Sequence, residues 1–134
     1  MVTIDTNIAI YAFSPDPKSR VADALVRRAD FVSAQVGNEY ANVMRRKFKQ
    51  SWQEIDRRVE VLHDIIPSWY AVERSDTREA LRLAGRYKFQ FYDALLIAVG
   101  LAHGATTLYS EDMQDGLVVE DTLRIVNPFT NDLA

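Results

Sequence analysis

Cysteine is absent from the 134-residue chain, which excludes disulfides and thiolate metal sites and suits a reducing compartment. Histidine is scarce: His63 and His103 stand in no triad or metal-ligand spacing, and both read as structural. Glycine (5) and proline (4) are too few for a flexible linker, and neither an internal repeat nor a low-complexity tract is present. Long hydrophobic runs are missing too. The longest, ALLIAVGLA (94–102), is about half a membrane span and reads as a buried core helix. No P-loop and no dinucleotide-type glycine pattern occurs, so nucleotide-handling folds lack their phosphate cradle. Positive charge is also in deficit. With 16 Lys and Arg against 19 Asp and Glu, the formal net charge of −3 gives no global pull toward nucleic acid, so local basic patches must hold any such partner. The first strand begins at Val2 with no basic leader before it, so no secretory signal is expected and a cytoplasmic location is.

What is present alternates. Short β-like runs follow helical ones along the chain, the pattern of a single α/β domain over 1–134 with a short, mostly parallel sheet flanked by helices. Strand one is expected at 2–5, with a short helix through Phe13. Asp16 and Pro17 suit the cap and first residue of a helix to Arg28. FVSA (31–34) reads as strand two, followed by a helix from Gly37 to Lys49. Ser51 and Glu54 have capping-box spacing for a helix to Asp64. SWYAV (68–72) suits a short strand. Helices are expected at 76–87 and 91–103, the latter ended by Gly104, then strands at TTLYS (106–110) and LRIVN (123–127).

Four acidic residues are placed awkwardly for solvation alone. Asp5 ends the first strand in TIDTNIAIYAF, where Asp, Thr and Asn are also ordinary helix-start residues. Glu39 opens the expected helix GNEYANVMRRKF, on the edge of an apolar stripe of Val36, Tyr40, Val43, Met44 and Phe48, an edge it shares with Arg46. A helix-start Glu favoured by the macrodipole is its plainer role. Asp93 lies in FQFYDALLIAVGLA, a helix apolar on every face, where an unpaired carboxylate costs several kcal/mol unless paired, protonated or metal-bound. Asp112 follows TTLYS, with Glu111 and Asp115 beside it; a solvated acidic turn is the plainer reading of those two neighbours. In open parallel α/β sheets, ligands bind beyond the carboxyl ends of the strands, the edge where Asp5 and Asp112 fall.

Four carboxylates from four segments on one cleft repel one another unless a cation neutralises them. Oxygen-only ligation without His or Cys suits Mg²⁺ or Mn²⁺ over zinc. Such sites hold a water, lower its pKa and stabilise charge during phosphodiester hydrolysis.

Taken together, these residues resemble the PIN-domain nucleases, in particular the VapC-type toxins of prokaryotic toxin–antitoxin pairs. The resemblance spans essentially the whole chain and rests on DTN (Asp5, Thr6, Asn7), Glu39 of NEYANVMRRK, Asp93 of FYDALLIA, and Asp112 of LYSEDMQDG, with NPF (127–129) near the C-terminus. It implies an endoribonuclease with a PIN-like fold whose Asp5, Glu39, Asp93 and Asp112 are catalytic and bind Mg²⁺ or Mn²⁺. Asp115 is a second candidate for the fourth acid. Thr6 and Ser110 would supply hydroxyls near the cluster, and Asn7 would orient its neighbours. A homodimer and a small inhibitory antitoxin protein are likewise implied.

Given RNA as substrate, Arg45, Arg46, Lys47 and Lys49, beyond Glu39 on the same expected helix, are candidates to hold the phosphate backbone. A solvated basic helix end is the alternative for each. Tyr11, Phe13 and Trp52 suit base stacking, a partner groove or the core. Two rival classes are weighed. A haloacid-dehalogenase-type phosphatase needs a second acid two residues after the first, where Asn7 stands. A non-catalytic PIN-like RNA-binding or scaffold module would usually lack a complete acidic set. A DNA-cleaving flap-type nuclease would need extra DNA-binding elements for which the chain has little room.

Overall fold

The computed structural model describes residues 1–130. Along the chain run β1 (Val2–Ile4), α1 (Thr6–Ala12), α2 (Ser19–Arg28), β2 (Val32–Ser33), α3 (Ala34–Arg46), α4 (Trp52–Ile65), β3 (Trp69–Tyr70), α5 (Arg74–Tyr87), α6 (Phe91–Ala102), β4 (Thr107–Tyr109), β5 (Val118–Val119) and β6 (Leu123–Val126). Strands β1, β4 and β6 pair in parallel, and β5 adds an antiparallel edge in the order β1-β4-β6-β5. The expected α/β fold with a short, mostly parallel sheet is what forms.

The register explains the core. Thr3 faces Leu108 across β1–β4, and Leu108 faces Ile125 across β4–β6. Ile4, Leu108, Leu123 and Ile125 are fully buried. Against them packs α6, whose residues from Ala94 to Gly100 are all buried, as a helix apolar on every face must be. At Gly100 an added Cβ would come within 3.3 Å of Leu123 Cδ1, a tight contact, so α6 runs close against the sheet here. No helix among the described residues is long and apolar enough to cross a membrane.

Several boundaries differ from expectation for local reasons. Asp16 accepts from Lys18 N at 2.8 Å and closes a turn, so α2 starts at Ser19. FVSA shrinks to β2, which pairs with β3 in a separate two-stranded parallel sheet. Ser33 then caps α3 through its hydroxyl, which accepts from Gln35 N at 3.2 Å, so the helix begins three residues before Gly37. Gly37 is inside the helix because the Trp69 ring presses on it: an added Cβ would meet that ring at 2.4 Å. Asp76 is not the start of α5 but accepts from Glu73 N, completing the first turn from within. The β5 edge strand was not anticipated. It sits between Gly116 and the left-handed pair Glu120 and Asp121, a short reversal with no periodic signal. The Ser51 cap on α4 forms as expected, with Glu54 N donating to its hydroxyl.

Candidate active site

β1 ends at Ile4, and Asp5 is both the N-cap of α1 and the last residue tied to the sheet. Its backbone N–H donates to Tyr109 O at 2.9 Å. Its Oδ1 accepts from Thr6 N at 2.7 Å, and its Oδ2 accepts from the Ser110 hydroxyl at 2.8 Å. Capping and delivery to the carboxyl edge are therefore the same geometry. Only 8% of Asp5 is exposed. Burial pushes its carboxyl up to about 6; the bonds from Ser110 and Thr6 oppose that rise, and the charges of Asp93 and Glu39 add to it.

Glu39 comes from the second turn of α3 instead of its opening, because the helix starts earlier. Thr6 Oγ1 donates to its Oε2 at 3.0 Å and Gln35 Nε2 to its Oε1 at 2.5 Å. Asp93 is half-buried in the first turn of α6, and its carboxylate accepts no side-chain bond among the described residues. Burial first, then the charges of Asp112 and Glu39, hold it above the usual carboxylate range. Asp112 is exposed beyond β4. Asn7 Nδ2 donates to its Oδ2 at 3.0 Å, and its own N–H donates to the Ser110 hydroxyl at 3.2 Å.

Asp5, Glu39, Asp93 and Asp112 lie near enough to feel one another's charge, Asp5 with Asp93 and Glu39, and Asp93 with Asp112 and Glu39. Thr6 bonds both Asp5 and Glu39, Ser110 bonds Asp5 and the Asp112 backbone, and Asn7 bonds Asp112. Every partner that reaches them is neutral: hydroxyl, amide or backbone N–H. Among the described residues none of the four joins an ion pair, although seven ion pairs form elsewhere. Nor do three acidic or His side chains among the described residues stand close enough to share one ion. The fit to a hard divalent cation therefore rests on donor type and uncompensated charge, which an all-oxygen acidic set supplies.

The remaining candidates spread outward. Asp115 points elsewhere: its carboxylate accepts from Asn127 N at 2.9 Å, and it lines a cavity shared with Arg20 and Arg28. Arg45, Arg46 and Lys49 are exposed around the end of α3, with Lys49 left-handed at φ 55. Arg45 stacks over Trp52 at 4.7 Å and donates to Gln50 O. Lys47 borders a cavity that reaches Asn7 and Asp112. Phe48, expected on the apolar stripe, is past the helix and 48% exposed. Tyr11 packs edge-on against Phe129, and Phe13 against Tyr40, while Trp52 stays 64% exposed. His103 stacks flat on Tyr70 at 3.6 Å, and His63 packs edge-on against Trp69 at 5.7 Å, both structural roles.

Gln35 was not legible as part of the site. It is buried, and its Nε2 also donates to Tyr92 O at 3.1 Å, tying α3 to the turn that carries Asp93. Both neighbours of that nitrogen are acceptors, which fixes the amide's orientation and leaves its Oε1 buried without a partner. Once the helix start at Ser33 is known, its i,i+4 spacing to Glu39 is the signal that finds it.

Comparison with known proteins agrees with this architecture. The chain is similar in fold to a toxin–antitoxin complex from Klebsiella pneumoniae, with TM-score 0.72 and 18% identity over 96% of this chain and 98% of that one. It is also similar to VapC20 of Mycobacterium tuberculosis, a Sarcin-Ricin loop cleaving toxin, with TM-score 0.63 and 17% identity over 81% and 87% of the two chains. A third likeness is to VapBC2 from Rickettsia felis bound to a promoter DNA fragment, with TM-score 0.61 and 17% identity over 84% and 89%. No curated protein matches the sequence significantly. The PIN domain family model matches residues 2–114, which carry all four acids and every element through β4. The chain belongs to the PIN domain family.

Proposed function

We propose that the protein is a divalent-metal-dependent endoribonuclease, the toxin of a toxin–antitoxin pair. The observation that carries the reading is the charge balance of the cleft: four carboxylates from four segments, bonded only to neutral groups. Asp5, Asp93 and Asp112, with Glu39, are the residues that would hold Mg²⁺ or Mn²⁺, their side chains drawing together on the ion. A bound ion of this kind lowers the pKa of a water and offsets charge on the reacting oxygens.

The chain's own residues prepare that chemistry. Ser110 and Thr6 N keep the Asp5 carboxylate facing the cleft, so its orientation is set before any ligand arrives. Thr6 and Gln35 each hold one oxygen of Glu39, which fixes the carboxylate plane. Asn7 does the same for one oxygen of Asp112, leaving the other free to accept. Hydrolysis by water at this edge leaves a 5′-phosphate and a 3′-hydroxyl. The fold likeness to a Klebsiella toxin–antitoxin complex supports a small antitoxin partner. The reading further takes the protein as a homodimer working in the cytoplasm.

The test maps new 5′-phosphate RNA ends in cells after brief induction, wild type against Asp93→Asn. Discrete ends present with wild type alone are the expected result. Identical maps from two soluble proteins free of a bound partner would move the assignment to a non-catalytic binding module.

A further inference from the structure

The three residues joining α5 to α6, Lys88, Phe89 and Gln90, belong to no expected element, yet they wall a cavity of about 550 Å³ whose other side includes Asp93 and Asp112. That size falls in the range of about 300–1,000 Å³ typical of small-ligand sites. Its wall is built, not loose. Lys88 turns the chain in the left-handed conformation at φ 62. Phe89 then stacks on Tyr87, with ring centroids 5.4 Å apart and planes 16° from parallel. Tyr87 is in turn bolted to the β5–β6 turn: its hydroxyl donates to Glu120 Oε2 at 2.8 Å and accepts from Glu120 N at 2.9 Å.

The polar groups facing this space are uncommitted. Gln90 caps α6 with its backbone alone, and neither its side-chain amide nor that of Gln114 makes a hydrogen bond among the described residues. Lys88 is exposed and joins no ion pair among the described residues. An aromatic edge, two free amides and one cation, set beside the two acids, match the parts of a nucleotide. The base has a face to pack on and edges that read amide donors and acceptors, and the phosphate takes the lysine.

We infer that this cavity seats the unstacked base next to the scissile phosphodiester, and that Gln90 and Gln114 set a base preference at that one position. The inference rests on the ribonuclease reading and extends it to substrate choice. Lys88 contacts the adjoining phosphate, and Phe89 supports the base without discriminating among bases.

The experiment cuts a library of single-stranded RNA, randomised around the cleavage position, with the full chain and Mn²⁺. Wild type is compared with Gln90→Ala, Gln114→Ala, Phe89→Ala and Lys88→Ala, each checked for an unchanged thermal melt. At least one glutamine variant should flatten the preference at a single position while the preferences elsewhere persist. Phe89→Ala should lower kcat/KM roughly tenfold for all bases, the usual scale of a lost stacking contact. Lys88→Ala should raise KM and reduce the salt slope of binding by about 0.7, as for one lost phosphate contact on a single strand. Wild type that cuts no RNA overturns the nuclease reading and the subsite with it. Wild type that cuts, with both glutamine variants keeping its preferences, overturns the subsite alone; so do glutamine variants that keep those preferences and weaken only a protein partner.

Discussion

Glu111 and Asp112 are adjacent in the chain and live under opposite electrostatic rules. Glu111 is clamped: Lys18 Nζ lies 2.5 Å from one oxygen, and the Tyr11 hydroxyl donates to the other at 2.6 Å. Burial works against its ionisation, but the bonds from Lys18 and Tyr11 hold the carboxyl below the usual range. Lys18 in turn lies over the Tyr11 and Phe129 rings. Asp112 has a single side-chain partner, the neutral amide of Asn7. The same contrast recurs on a larger scale. Glu120 gathers Arg82, Arg86 and Tyr87 and fastens α5 to the sheet edge, while Asp5, more deeply buried, gathers only Ser110 and a backbone N–H. Glu111 and Glu120 hold the fold with cations of the chain's own. Asp5 and Asp93 have no such cation and also feel the charge of neighbouring acids, so negative charge is left there for something else to neutralise.

The most severe way to test that division is Asp93→Asn, which removes charge from the cleft and leaves the clamp intact. RNA cleavage should fall by roughly 10²–10³-fold or more, the scale of losing one electrostatic contact to a reacting group. Fold and melting temperature should persist or rise. Cleavage at the wild-type rate would take Asp93 out of the chemistry.

Asp5→Asn reads the same charge through stability. An Asp whose folded pKa is raised to about 6 binds its proton more tightly in the folded state than in the unfolded one. Stability from that proton is fully present below the unfolded value of 3.8 and is lost as pH rises through about 6, by roughly 3 kcal/mol in all. Denaturant unfolding in EDTA should therefore show wild type weakening across that window and Asp5→Asn staying nearly flat. Mn²⁺ should stabilise wild type above pH 6 and lose its effect below, as protons compete for the carboxylate. A wild-type curve independent of pH between 4 and 7 would mean that Asp5 carries no such burden.

Glu111→Gln turns the comparison round by breaking the clamp while sparing the cleft's own acids. Glu111 N donates to Asn7 Oδ1, and Asn7 holds Asp112, so the clamp's influence should pass to the fourth acid. The Mn²⁺ concentration giving half-maximal cleavage should rise roughly tenfold, as when a group orienting a metal ligand is lost. An unchanged metal requirement with a lowered melting temperature would confine Glu111 to the fold.

How much of this was legible beforehand follows from the same physics. The central strands and α6 were readable because apolar runs bounded by polar turns admit few other readings. The four acids stand out in the sequence because each is placed awkwardly for solvation alone, though Asp5 and Glu39 also suit helix starts. Glu39 was given a helix-start role because Gly37 looks like a boundary; only the tertiary contact with Trp69 explains a glycine in that helix's interior. Gln35 was hidden by the same misplaced boundary. The cavity wall at 88–90 was invisible because a three-residue connection has no periodicity, and its placement depends on Tyr87 finding Glu120 across the fold. Asp112 is favoured over Asp115 by its closeness to the strand end, and the bond from Asn127 N draws Asp115 toward another surface.

The smallest expected effects come from the basic residues at the end of α3, where the division between committed and uncommitted charge should apply with the sign reversed. Arg45 is committed: it lies over Trp52 and donates to Gln50 O. Arg46 and Lys49 are exposed and make no side-chain hydrogen bond or ion pair among the described residues. Arg46→Gln and Lys49→Gln should each weaken RNA binding about two- to fivefold and reduce the salt slope by about 0.7, one phosphate contact apiece. Arg45→Gln should lower the melting temperature and leave the slope nearly unchanged, because its charge already serves the turn between α3 and α4. Fluorescence titrations at several salt concentrations separate the two outcomes. Equal slopes for all three variants and wild type would place the RNA path away from this helix end. A loss of slope in Arg45→Gln alone would show that a side chain can hold the fold and the substrate with the same charge.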